Sequence, residues 1–143
     1  MKILIVGLGS IGKRHVINLL SIPNTEIIIY THRKDVDEEL KTKCKIIESL
    51  DDCINEKPKV GIISNVTSLH IQTALKLASS GLHLFIEKPL SNNLQNVQEL
   101  SDIIQNKKLV TFIGCNLRFH SCIKKIKELL QNNEIGKILS VYV

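Results

Sequence analysis

A glycine turn near the start of the chain constrains what it can fold into more than any other feature. Residues 2–6 are apolar after Lys2, as a strand buried on both faces must be, and Gly7-Leu8-Gly9-Ser10-Ile11-Gly12 follows at once. The spacing G-x-G-x-x-G, between a strand and a helix, gives each glycine its own task. Gly7 permits a tight turn, Gly9 lets a ligand's diphosphate approach the backbone, and Gly12 lets the helix pack closely on the strand. The N–H groups of Ser10, Ile11 and Gly12 open the helix, where the dipole favours negative charge. A tight strand-to-helix turn without a ligand needs only one of these glycines.

Beyond the turn, short apolar runs alternate with amphipathic segments, the pattern of βαβ units around a parallel sheet. Strands are expected over 2–6, 26–31, 44–47, 60–64, 82–86 and 109–114. Helices are expected over 10–20, 35–43, 49–56 and 67–79, with one more marked by Leu94, Val97, Leu100 and Ile104. Six strands with helical crossovers predict an α/β, doubly wound parallel sheet of order 3-2-1-4-5-6. After Gly114 a further helix carries the stripe Ile123, Ile126, Leu129 and Leu130, and 138–143 reads as a new strand. We therefore divide the chain into a dinucleotide-binding domain, 1–118, and the first helix and strand of a second, truncated α/β domain, 119–143. The last strand needs a partner for its backbone groups, and association with another copy is one way to supply it.

Composition narrows the function classes. The net charge is +5, but aromatic residues are only 3% and the lysines are scattered, so no stacking platform for nucleic acid is expected. A basic surface suits an anionic cofactor instead. No apolar run approaches the ~20 residues of a membrane span, and the apolar run before Gly7 is too short for a secretory leader. Cys44, Cys53, Cys115 and Cys122 form no Cys-x-x-Cys pair and no metal-like spacing with the histidines. No metal is expected, and free thiols fit the cytoplasm.

The end of the second strand bears on the choice of dinucleotide. An acid about twenty residues past the turn would hold the ribose hydroxyls of NAD, and an Arg would meet the 2′-phosphate of NADP. The segment here is Tyr30-Thr31-His32-Arg33-Lys34, with no acid before Asp35. Thr31, His32 and Arg33 are placed at the adenosine end, and NADP is favoured over NAD. The plainer alternative makes both cations solvated loop residues, with Asp35 capping the next helix.

Several motifs in order resemble the Gfo/Idh/MocA oxidoreductases, the family of glucose-fructose oxidoreductase and inositol dehydrogenase. They are the amino-terminal turn with His15, the segment 64–70 (Ser-Asn-Val-Thr-Ser-Leu-His), Glu87-Lys88-Pro89, and 114–120 with Asn116, Arg118 and Phe119. Val66 stands where members commonly have Pro. The resemblance implies a hydride transfer between a nicotinamide cofactor and a sugar, polyol or sugar-nucleotide, with Lys88 catalytic or positioning the substrate. By the same resemblance, a second domain carries substrate and oligomer contacts and further acid/base residues.

The chemistry of these residues is compatible with that implication. Glu87, Lys88 and Pro89 lie at a strand's carboxyl end, where doubly wound sheets bind ligands, and a lysine there can donate to a substrate oxygen. Ser64 and Asn65 end the fourth strand, where an amide can contact the cofactor. His70 lines the nicotinamide side or is a satisfied structural histidine. Asn116 and Arg118 hold the nicotinamide amide or substrate hydroxyls. A different class stays open: a dinucleotide-binding module without turnover, or a subunit completed by another chain.

Overall fold

The computed structural model of the chain describes residues 1–142. Its elements run β1 (Lys2–Val6), α1 (Ser10–Leu20), β2 (Glu26–Tyr30), α2 (Glu38–Lys43), β3 (Lys45–Ile47), α3 (Leu50–Asn55) and β4 (Val60–Ile63). A 3₁₀ turn (Thr67–Leu69) leads into α4 (His70–Ser79), followed by β5 (His83–Ile86), α5 (Val97–Asn106) and β6 (Thr111–Ile113). A second 3₁₀ turn (Asn116–Phe119) and α6 (Ser121–Gln131) complete the sequence of elements. The strands form one parallel sheet in the order β3-β2-β1-β4-β5-β6, as the alternating pattern predicts.

Strand period decides which residues meet which helices. Leu4, Val6, Ile28, Ile63, Leu84 and Ile86 face a core completed by Cys53, Ala74 and Leu77 from α3 and α4. Ile3, Ile5, Ile27, Ile29 and Ile62 face the other way, onto Val16 of α1, Leu40 of α2 and the loop residue Val36. Burial on both faces is the reason these strands read as unbroken apolar runs. A Cβ at Gly61 would sit 2.5 Å from Leu77 Cδ1, so the missing side chain lets α4 lie close on β4.

The strands end in register. Val6 pairs with Tyr30 and Ile63, Ile63 with Ile86, and Ile86 with Ile113. The next residue of each strand continues the ladder by one rung. Gly7 donates to Tyr30 O (3.1 Å), Ser64 to Val6 O (2.9 Å), Glu87 to Ile63 O (2.9 Å) and Gly114 to Ile86 O (2.8 Å). The sheet thus brings four separated motifs onto one ledge.

Four expectations are corrected. The helix expected from residue 35 begins only at Glu38. The helix marked by Leu94 begins only at Val97, and Leu94 is exposed. Asn93 N–H bonds Ser91 Oγ and Gln95 N–H bonds Asn93 Oδ1, so side chains capture the donors a helix would use. The helix expected from residue 67 opens as a 3₁₀ turn and becomes α-helical at His70. Finally, 138–142 form no strand, and Leu139 and Tyr142 are 96% and 94% exposed. Among the described residues no strand pairs with the segment, so its backbone gains no ladder. Val143 lies outside the described residues.

Candidate functional site

The glycine turn has the geometry its spacing implies. Gly7 has φ +93°, a left-handed conformation, and a Cβ there would lie 2.7 Å from the Asn65 backbone. A Cβ at Gly12 would run into Gly7 O and come within 2.7 Å of Ser64 Oγ. Gly9 differs, because a Cβ there would meet nothing within 4 Å. No side chain caps α1, so the donors of its first turn have no side-chain acceptor. Open space over Gly9 and uncapped donors beside it form the cradle that a diphosphate fits. Ser64 is buried beneath, its hydroxyl near both Gly7 O (2.9 Å) and Val6 O (3.2 Å). It supports the turn from behind.

On one side of the turn lies a small cleft of about 180 Å³, lined by Leu8, Gly9, Lys13, Arg33, Asp35 and Asp37 among others. Thr31 is buried, and its Oγ1 accepts the Arg33 N–H (3.2 Å). Tyr30 Oη and His32 Nε2 meet at 3.0 Å. The Arg33 guanidinium donates to both carboxylate oxygens of Asp35 (3.0 and 2.6 Å) and to Leu8 O (3.3 Å). Lys34 pairs with Glu48 at 2.5 Å, and Lys13 pairs with Asp37. The hydrogen bond from Arg33 holds the Asp35 carboxyl below its ordinary value, and Asp35 raises Arg33 in return. The sequence leaves both cations available; the structure gives each a carboxylate.

On the other side is a cleft of about 480 Å³, reached by Ile11, His15, Asn65, Glu87, Lys88 and Asn116 among others. Its organising contact is His15 Nε2 to Glu87 Oε1 at 2.7 Å, with side chains only 20% and 14% exposed. His15 sits one turn along α1 from the glycine motif, its ring edge-on to Phe85 at 5.2 Å. Glu87 Oε2 accepts the backbone N–H of Lys88 (3.3 Å) and lies where a Cβ at Gly114 would crowd it to 3.0 Å. The Lys88–Pro89 peptide is cis. Lys88 is exposed, and no carboxylate pairs with it among the described residues.

His70 is 1% exposed. Its ring nitrogens lie 3.0 Å from Pro89 O and 3.1 Å from Asn65 O, so it ties the loops after β4 and β5 together. These contacts fit the structural role the sequence leaves open, and the residue also lines this cleft, so the cofactor-side role stays open beside it. Asn65 Nδ2 donates to Thr73 Oγ1 (3.1 Å), while its Oδ1 is buried without a partner. Asn65 as a residue lines this cleft, and its Oδ1 is an acceptor that no described residue satisfies. Asn116 reaches the cleft, and Arg118, on the same 3₁₀ turn, is exposed and does not line it. Sequence reasoning quoted His15 without giving it a role and missed the aromatic floor of Phe85 and Phe112 (centroids 5.6 Å apart). The only signal for His15 was its position one turn past Gly12.

Comparison with known proteins follows the same lines. Residues 1–115 match the Gfo/Idh/MocA model, described as an oxidoreductase family with an NAD-binding Rossmann fold. The chain is 32% identical over 142 residues to myo-inositol 2-dehydrogenase of Thermotoga maritima, covering 96% of this chain and 42% of that enzyme. It is 29% identical over 145 residues to glucose-6-phosphate 3-dehydrogenase of Bacillus subtilis, covering 99% and 41%. Scyllo-inositol dehydrogenase from Lactobacillus casei, solved with bound NAD(H) and scyllo-inositol, superposes with a TM-score of 0.82 at 25% identity, over 96% of this chain and 43% of that one. The chain spans about two-fifths of the length of these relatives.

Proposed function

The chain belongs to the Gfo/Idh/MocA oxidoreductase family, and on that premise we propose that it is the NAD(P)-binding part of an enzyme that oxidises or reduces a carbon of a sugar, polyol or sugar-nucleotide. The observation that carries the reading is the ledge: the open diphosphate cradle at Gly9 and the Glu87-Lys88 pair stand at in-register strand ends of one sheet. When bound, the nicotinamide ring accepts or supplies the hydride.

The chain's residues divide the remaining work. The N–H groups from Ser10 to Gly12 bind the diphosphate, with Gly7 and Ser64 holding the turn in shape. Thr31, His32 and Arg33 border the adenosine ribose. Arg33 favours NADP, exchanging Asp35 for the 2′-phosphate. Asn65 lines the nicotinamide end, and His70 keeps the Asn65 and Pro89 backbones in place. Lys88 holds or delivers the proton at the substrate oxygen, its backbone fixed by Glu87, which His15 orients in turn. Asn116 contacts the nicotinamide amide or the substrate, whereas Arg118, on the same turn, is exposed outside the cleft.

Residues 1–118 form the cofactor domain in this reading, and 119–143 begin the next one. In support, no residue of α6 is buried, and Ile123 and Ile126 are about half uncovered. Four free thiols fit the cytoplasm as the compartment. Calorimetry with NADP and NAD, followed by an absorbance assay over inositols and sugars, tests the proposal. Micromolar dinucleotide binding supports it; absence of binding for both cofactors overturns it.

A further inference from the structure

We propose that Asp35 is a specificity-determining residue: as the resident counter-ion of Arg33, it weakens binding of a 2′-phosphorylated dinucleotide and leaves NAD almost untouched. This rests on the placement of the adenosine end in the cleft beside Gly9. Two features of that cleft carry the inference.

The first is geometric. Arg33 presents Nε and Nη2 to the two oxygens of Asp35 at 3.0 and 2.6 Å, the fork-on-fork arrangement that a phosphate would also take. Its Nη1 is bonded to Leu8 O at 3.3 Å, which anchors the guanidinium beside the glycine turn. A 2′-phosphate and the Asp35 carboxylate therefore compete for the same donors. The ribose 2′-hydroxyl of NAD carries no charge and has no need of that fork.

The second is electrostatic. The chain carries a net charge of +5, yet this cleft is balanced. Arg33 is matched by Asp35 and Lys13 by Asp37, and the neighbouring Lys34 is matched by Glu48. A phosphate entering here meets paired cations and two nearby carboxylates. Asp35 disfavours it both by occupying the fork and by like-charge repulsion. Exchange is feasible because both partners are exposed, 52% for Arg33 and 70% for Asp35, and exposed pairs are weak. Each partner shifts the other towards its charged form, so the pair stays ionised around neutral pH.

The test is calorimetric titration of the chain with NADP and NAD at low and high salt. Asp35→Asn keeps the shape and removes the charge. It is expected to tighten NADP by roughly five- to tenfold, with NAD within about twofold, and the gain should shrink with added salt. Arg33→Gln is expected to weaken NADP selectively, and Asp35→Asn in that background should then gain under about twofold, since Asp35 acts through Arg33. Thermal melts establish that the variants fold. An NADP-to-NAD ratio unchanged in Asp35→Asn overturns the inference. So does equal tightening of both dinucleotides, which would make Asp35 a general repellent of the diphosphate. Failure of the wild-type chain to bind either dinucleotide would overturn the placement of the cofactor itself, a different result from an unchanged ratio.

Discussion

Replacing Gly9 with Val separates binding from folding more cleanly than any other change. Gly9 has φ −77° and ψ −171°, an extended conformation open to any residue. Since a Cβ there meets nothing within 4 Å, the variant should fold with stability changed by less than about 1 kcal/mol. The valine methyls would occupy the space through which a diphosphate approaches the α1 donors. Losing two charge-assisted hydrogen bonds at about 1.5–3 kcal/mol each removes at least ~3 kcal/mol of binding, or roughly a hundredfold or more in affinity. Thermal denaturation and calorimetry with NADP and NAD on the same sample read both quantities. Unchanged affinity in a folded Gly9→Val protein would show that the diphosphate does not lie on this turn.

Gly12→Ala should behave in the opposite sense: its Cβ meets Gly7 O, so stability should fall by about 1–3 kcal/mol in urea denaturation, whatever the ligand. His15→Ala leaves the Glu87 carboxylate, 14% exposed, without its partner, and should cost about 1–3 kcal/mol of stability as well as affinity for the nicotinamide end; an unchanged denaturation midpoint would refute the importance of the pair. Thiol titration should find two classes. Cys115 and Cys122 are exposed and should react quickly, whereas burial raises the Cys44 thiol and pushes the Cys53 thiol up to about 11. The reactive thiolate of Cys53 therefore stays scarce in the folded state until the pH approaches 11, and modification at pH 8 should require denaturant.

Legibility in the sequence followed the range of the interaction. The glycine turn and the six apolar runs are local, and local spacing carries their geometry, so the sheet order could be read directly; Glu87-Lys88-Pro89 was legible through its resemblance to the family's motif. Leu94 misled because its apolar spacing was right while Ser91 and Asn93 captured the nearby backbone N–H groups. Segment 138–142 has the alternation of a strand, but alternation describes a face and not a partner. Pairings across the fold were invisible: His15 and Glu87 are 72 residues apart and meet only because α1 and β5 share a sheet end. Arg33 and Asp35 are near neighbours, yet their fork depends on a loop conformation that composition does not encode.

The rung of backbone bonds at Gly7, Ser64, Glu87 and Gly114 has an implication for how such a site changes over time. These residues look like loop positions, but their amides hang from the neighbouring strand's last carbonyl and should exchange with solvent as slowly as the sheet interior. Main chain therefore supplies a fixed shelf, on which Gly7 and Gly114 leave no room for a side chain, while positions just beyond it make none of its bonds. Replacements at Asn65 or Asn116 can retune what the shelf accepts without disturbing the backbone bonds that hold it. A ledge of this kind gives a lineage a stable frame on which new substrate preferences arise by single side-chain substitutions.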